Sequence, residues 1–411
     1  MATVQPDLNP SPSPSDSSIP IVCTYHVAES GADNNSGTAD QPFATLRKGA
    51  SLLAPGETLC AHAGTYSETF PENTIPPGTS WNAPVTLTAY PGEQVVIRPL
   101  KGSARIMTFV GPQSFIVVDG FVLDGANVDI DAIKITTSGS APTSTSTAHH
   151  IRIVNSEIMN ASDQGILITG APYATNNEVL NCNIHNNGFR GTAMTSDHYH
   201  GIYVSTADNV IMHNSFHDNA GYGVHLYDSS NVGVDHNLVA YNRIYHNGIG
   251  SSTTCDGNRP CASGAVIGSG VGNQFYDNLV YDNQGNGGGV SVDYRAIDNH
   301  LVNNTIYGNL FGYGIAIADS DMSSGALVEN NIVYGGTLYI SDHGTSSTLA
   351  SNLADGTDPL FANSATDDFR LLPTSPAIDS GATVSEVNDD FSGLERPQGV
   401  AFDIGAFEYP R

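Results

Sequence analysis

The feature that most constrains this chain is a phrase that recurs. Between residues 150 and 340 a glycine is repeatedly followed by alternating apolar residues, in strings that start at Gly165, Gly201, Gly223, Gly264, Gly289 and Gly314. A second phrase ends in asparagine, at Asn155, Asn181, Asn214, Asn237, Asn278, Asn304 and Asn331, and several copies carry another asparagine five residues on, at Asn160, Asn186, Asn219, Asn242, Asn283 and Asn309. The shortest spacings, 22 to 27 residues, are too long for a hairpin and too short for a strand–helix–strand unit. They fit one coil of a right-handed parallel β-helix, with three short strands and three turns per coil. Alternation then turns Ile202 and Val204, Val224 and Leu226, Val290 and Val292, and Ile315 and Ile317 inward. The asparagines are expected to stack at turns, where Asn tolerates left-handed backbone and its amide bonds the next coil. A β-sandwich would instead show turns every ~8–12 residues and no column of asparagines held in register.

The expected class is therefore all-β, a solenoid whose ends need covering. Residues 41–54 read as an amphipathic N-terminal capping helix with Phe43, Leu46, Ala50 and Leu53 on one face. Residues 1–21 are a Pro/Ser-rich linker without the features of a signal peptide. The solenoid with its N-terminal cap is assigned to 22–354 and a C-terminal capping segment to 355–411. With both ends closed, a monomer is expected. Of the five cysteines, Cys23 and Cys60 sit in short stretches that can pair, Cys255 and Cys261 bracket a polar turn, and Cys182 is left over in an apolar stretch. This usage favours a secreted or cell-surface protein, and no spacing suggests structural zinc. A net charge of −27 argues against nucleic acid and anionic membranes as partners. No apolar run reaches the ~18–20 residues of a membrane span.

The stretch around 33–46 and 55–69 resembles the opening of many secreted bacterial parallel β-helix proteins. The run from Asp358 to Tyr409 resembles the C-terminal choice-of-anchor segment found in that group, and the middle resembles the β-helix carbohydrate-active enzymes: polysaccharide lyases, some glycosidases and alginate-type C5-epimerases. The resemblance implies a polysaccharide substrate. It leaves the reaction open, because many chemistries share this scaffold.

Two coils are enlarged, at about 187–199 and 243–263, each just before a Gly-starting strand. Loops added at one edge of a solenoid build the walls of a cleft. Stacking the Gly-starting strands points Tyr203, His225, Val266, Ser291 and Ala316 outward in one column, and Ser205, Tyr227, Gly268, Asp293 and Ala318 in a second. His200, Asp228, Tyr294, Arg295 and Asp319 flank this face, and the small Val266, Gly268 and Ser291 are expected to open a groove beside it. Coils lie about 4.8 Å apart, so column neighbours are within bonding reach. From 153 to 369 the basic residues are Arg190, Arg243, Arg259 and Arg295, all in or near the insertions or on this strand. Arginine pairs bidentately with carboxylates, so a uronate glycan is the natural substrate.

β-Elimination from a uronate needs a neutralised carboxylate, a base for the C5 proton and an acid for the leaving oxygen. Arg295, with Arg190 or a bound Ca²⁺, supplies the first. His200 or His225 supplies the base, Tyr203 or Tyr227 the acid, and Asp228 or Asp293 orients an imidazole; this Tyr/His pairing resembles that of some polysaccharide lyases. Asp197, His198, Asp228, Arg190, Arg243, Arg259, Tyr294 and Asp319 are the candidate substrate contacts. No lysine lies on the enlarged coils, which argues against a lysine base. Three alternatives remain: a glycoside hydrolase using Asp293 with Asp228 or Asp319, a C5-epimerase, and a non-catalytic glycan-binding scaffold. A zinc site from His198, His200 and His225 is the less favoured reading. His149, His150, His213, His217, His236 and His246 are read as turn or surface residues, Tyr281, Tyr307 and Tyr334 as a stacked column, and Asp277, Asp282 and Glu329 as a solvated face.

Overall fold

The computed structural model describes residues 21–189, 199–229, 233–249, 264–318, 322–336 and 338–411. The chain winds through three parallel sheets in turn. The first has 12 strands, from Tyr25–Val27 to Thr348–Ala350; the second has 10, from Gly64–Tyr66 to Ile332–Tyr334; the third has 9, from Met107–Phe109 to Leu338–Asp342. Most strands are three or four residues long, because three residues alternating in and out are enough to define a wall of the coil, two facing in on the third sheet and one on the second. Ile202 and Val204 are fully buried while Tyr203 between them is half-buried, and Val224 and Leu226 flank His225 in the same way. The inward residues, including Ile133, Ile166, Ile202, Phe216, Phe275 and Ile306, form one continuous core along the axis.

The asparagines hold the coils together, in columns that match those expected only in part: Asn214, Asn278, Asn304 and Asn331 share one ladder and Asn219, Asn283 and Asn309 another, while Asn237 and Asn242 each belong one ladder over. Three ladders run through the turns: Asn177, Asn209, Asn237, Asn273 and Asn299; Asn214, Asn242, Asn278, Asn304, Asn331 and Asn352; and Asn187, Asn219, Asn247, Asn283 and Asn309. In each, the side-chain amide donates to the side-chain oxygen of the next coil, and that oxygen also accepts the backbone N–H of the ladder asparagine before it. The residue just before each rung is left-handed. At one turn the left-handed series is Asn155, Asn181, His213, Tyr241, Asp277 and Asn303. The columns read from sequence therefore mixed two roles: Asn155, Asn160, Asn181 and Asn186 make the left-handed turn, while the residue after each turn points inward as the rung.

The N-terminal helix is far shorter than 41–54, covering only Leu46–Ala50. Phe43 instead pairs beside the first strand, bridging to Val27 with its N–H donating to the His26 carbonyl, and the Thr45 hydroxyl caps the helix by accepting from the Lys48 N–H. Phe43, Leu46, Ala50 and Leu53 are all buried as expected. Cys23 and Cys60 are disulfide-bonded. Cys182 is a buried thiol whose pKa burial pushes up to about 12, and Cys255 and Cys261 lie outside the described residues.

Residues 361–411 pack along the flank of the solenoid, where an end cap was expected. Val384, Val387 and Phe402 cover Leu238, Tyr241, Tyr276 and Val302, and Phe369 and Phe407 cover Leu279 and Tyr281. Arg396 is fully buried there, 2.6 Å from both Asp277 and Glu408. Asp277 thus belongs to a buried ion-pair network and not to a solvated face.

Candidate functional site

The third sheet carries the outward columns in the expected register. Tyr203 sits beside His225, His225 beside Val266, Val266 beside Ser291 and Ser291 beside Ala316; Tyr227, Gly268 and Asp293 run alongside. The result is a connected set of rings on two adjacent coils. Tyr203 stacks on His225 with centroids 4.7 Å apart, His225 is 5.6 Å from a nearly parallel Tyr227, and His200 meets His225 edge-on at 4.3 Å. Tyr222 closes the back of the set, 5.0 Å from His225 and 5.2 Å from His200. Tyr294 continues the set from Tyr227 at 4.9 Å.

Electrostatics separate the roles these groups can play. Burial, with Asp228 and Tyr227 adding, pushes the Tyr203 hydroxyl up to about 12, so it stays protonated through the physiological range. His200 is buried, and its Nδ1 accepts the backbone N–H of Tyr222 at 3.0 Å. A neutral His200 so held carries its proton on Nε2 and is a donor there. Its own N–H donates to Gln164 Oε1 at 2.9 Å. His225, half-buried in the outward column, is the imidazole that faces outward beside Tyr203. Asp228 is half-buried, and its N–H donates to the Ser269 hydroxyl.

The remaining calls divide three ways. Asp293 lies in the column but is fully buried, and its Oδ1 accepts the Tyr294 N–H at 2.9 Å, so it shapes the turn and does not face solvent. Tyr294 and Arg295 are consecutive left-handed residues, an uncommon pairing for side chains of this size. The turn lays the Tyr294 ring over Gly268, where a Cβ would come within 2.9 Å of it, and leaves Arg295 exposed. Among the described residues the expected groove does not open at these positions: Val266 and Ser291 are buried, and Tyr294 occupies the space over Gly268. Arg243 is a correction too. It begins a strand of the second sheet and lies over the Phe391 ring of the C-terminal segment, 5.0 Å from the centroid. Arg190, Asp197, His198, Arg259 and Asp319 lie outside the described residues.

Two contributors escaped the sequence reading. Tyr222 was hidden because it precedes the strand, where the alternation rule says nothing. Lys134 lies outside the enlarged coils; it occupies the same outward column as Tyr203, two coils earlier, with Leu167 between them. Its place was readable from the alternating Ile133-Lys134-Ile135. Among the described residues no group of three or more His, Cys, Asp or Glu side chains is arranged to hold a metal ion.

Residues 25–190 match the model of the Pel9A-like right-handed β-helix region, and 194–354 match that of the right-handed β-helix region. The crystal structure of pectate lyase Pel9A superposes over 93% of this chain and 96% of its own, with a TM-score of 0.67 at 18% identity. The fold is the right-handed parallel β-helix. The xylose complex of XylC superposes over 94% of this chain and 98% of its own, with a TM-score of 0.57 at 13% identity. In sequence, the uncharacterized protein YwoF of Bacillus subtilis is 26% identical over 86% of this chain and 91% of its own length. Pectate lyase PEL9 of Emericella nidulans is 31% identical over a shorter stretch, 19% of this chain and 18% of its own. No helix among the described residues is long and apolar enough to cross a membrane.

Proposed function

We propose that this protein cleaves a uronate-containing polysaccharide by β-elimination on the outer face of the third sheet, centred on His225 and Tyr203. The observation that carries the reading is their adjacency: an outward imidazole and a phenol held protonated, stacked 4.7 Å apart in neighbouring register positions. His225 takes the proton from C5 of the uronate. That electron pair forms the C4–C5 double bond as the C4–oxygen bond breaks, and the departing oxygen takes its proton from Tyr203. Arg295, exposed and without an ion pair among the described residues, neutralises the carboxylate and so lowers the cost of the carbanion. His200 positions the site, donating from Nε2 while Tyr222 fixes its ring.

The disulfide at Cys23 and Cys60 supports a secreted or cell-surface location, and we take the protein to act as a monomer. The hydrolase alternative draws less support, because Asp293 is closed off from solvent. The test incubates the protein with a panel of polyuronates and follows both ultraviolet absorbance and reducing ends. New absorbance that rises with reducing ends supports elimination. Reducing ends alone mean hydrolysis and overturn the reading, and an inverted C5 centre without cleavage means epimerisation and overturns it too.

A further inference from the structure

Lys134 is a cation with an unusual setting. Its side chain leaves the third sheet in the Tyr203 column, two register positions toward the N-terminus, about 10 Å away at the spacing of stacked coils. It is half-buried, yet among the described residues it has no hydrogen bond or ion pair of its own. The adjacent carboxylate, Asp131, is already committed: its Oδ2 accepts from Arg105 Nε at 2.9 Å, and both are largely covered. Burial and the Arg105 charge hold the Lys134 ammonium below the usual lysine range, with Asp131 opposing them. A half-buried ammonium beside a guanidinium is costly for the folded state by itself. An anionic ligand on that face would offset the cost.

We infer that Lys134 is a second recognition point on the same outward face of the third sheet, taking the carboxylate of a uronate unit that lies on the N-terminal side of the one bound at Tyr203 and His225. Leu167, between the two, offers an apolar floor for the intervening sugar. The inference rests on the proposed function insofar as it needs an acidic chain lying along the solenoid axis. It adds that the enzyme requires a substrate several units long and that charge on the non-reacting units is read.

The experiment compares the wild-type protein with Lys134→Met and Lys134→Arg on short and long oligogalacturonates and oligomannuronates, measuring turnover and, by calorimetry, binding. For Lys134→Met on long oligomers we expect about a tenfold rise in KM and in Kd, about one ion-paired hydrogen bond's worth, with the loss in KM and not in kcat. The shortest oligomers are expected to change less than twofold, and Lys134→Arg to recover most of the loss. Because the methionine also removes the charge repulsion from Arg105, its melting temperature is expected to stay at or above that of the wild type, which separates a binding role from a structural one. Equal KM and Kd for Lys134→Met and wild type on long oligomers would overturn the inference while elimination itself stands. Binding that depends on Lys134 without any elimination product would support it and sink the proposed reaction instead.

Discussion

Replacing Asn242 by alanine tests the ladder that positions every outward column. Asn242 is fully buried. Its Oδ1 accepts the Asn214 N–H at 2.9 Å and the Asn214 amide at 3.0 Å, while its Nδ2 donates to the Ile211 carbonyl at 2.9 Å and to Asn278 Oδ1 at 3.0 Å. Asn278 Oδ1 keeps the Asn242 backbone N–H and the Asn214 amide keeps the Val179 carbonyl, so two buried groups, the Asn214 backbone N–H and the Ile211 carbonyl, lose this partner. At about 1–3 kcal/mol for each orphaned group the loss is about 2–6 kcal/mol, centred on about 4 kcal/mol. The same deficit applied to local opening corresponds to about a thousandfold faster hydrogen exchange at the Asn214 amide. Asn181→Ala is the contrast: that residue is exposed, gives one amide hydrogen bond to Asn155, and occupies a left-handed turn, so about 1–2 kcal/mol is expected. Urea unfolding followed by circular dichroism, with amide exchange on the same samples, measures both. A loss below about 1 kcal/mol for Asn242→Ala, or unchanged protection at Asn214, would refute the reasoning that buried rungs are what hold the coils in register.

Other outcomes follow from the same structure. Gly268→Ala places a methyl 2.9 Å from Tyr294 Cδ2, so the ring must move off the strand; turnover should fall with little loss of melting temperature, and an unchanged kcat/KM would show that Tyr294 is not part of the site. Burial holds His150 down at about 4 and holds His149, His213 and His217 below their usual value. A histidine depressed in the folded state stabilises it fully above the unfolded value near 6.5 and loses that contribution as pH falls toward 4, so stability should drop across that window, and His150→Gln should flatten the drop when unfolding is titrated against pH. Tyr203 behaves oppositely: its contribution is complete below the unfolded value of 10 and is lost as pH rises toward about 12, so the alkaline limb of kcat/KM should lie well above pH 10, and a limb near 10 would remove it as the proton donor. Removing the bond between Cys23 and Cys60, which are 37 residues apart, should cost about 4 kcal/mol by loop entropy, read as a lower urea midpoint for Cys60→Ala.

Much of this architecture was legible because a solenoid writes its geometry into the sequence at a fixed period. Glycine before the third-sheet strands that start at Ile166, Ile202, Val224, Ala265 and Val290, and the alternation after it, placed Tyr203, His225, Tyr227 and Asp293 in correct register. What alternation does not encode was misread. It gives in or out for a strand, but not whether an outward residue is then covered, which is why Asp293, Val266 and Ser291 read as open and are buried. It is silent on the residue pair at each turn, where one asparagine bends the chain and the next becomes the rung; the spacing Asn237, Asn242, Asn247 held that answer, because three inward rungs per coil recur every five residues. Contacts between distant segments were the least visible. Nothing local to Arg243 or Asp277 announces that Phe391 and Arg396 will cover them. Lys134 is the converse case: the Ile133-Lys134-Ile135 alternation gives its position plainly, but no insertion marks its coil.

The most direct test of the central claim is the ultraviolet absorbance of polyuronate reactions run with the wild-type protein, His225→Ala and Tyr203→Phe, each first checked for intact fold by circular dichroism. The account expects unsaturated uronate to accumulate with the wild type and its rate to fall at least about a hundredfold in either variant, the usual contribution of a positioned acid or base. Unsaturated product formed at wild-type rate by both folded variants would move the chemistry away from the third-sheet face and contradict the account.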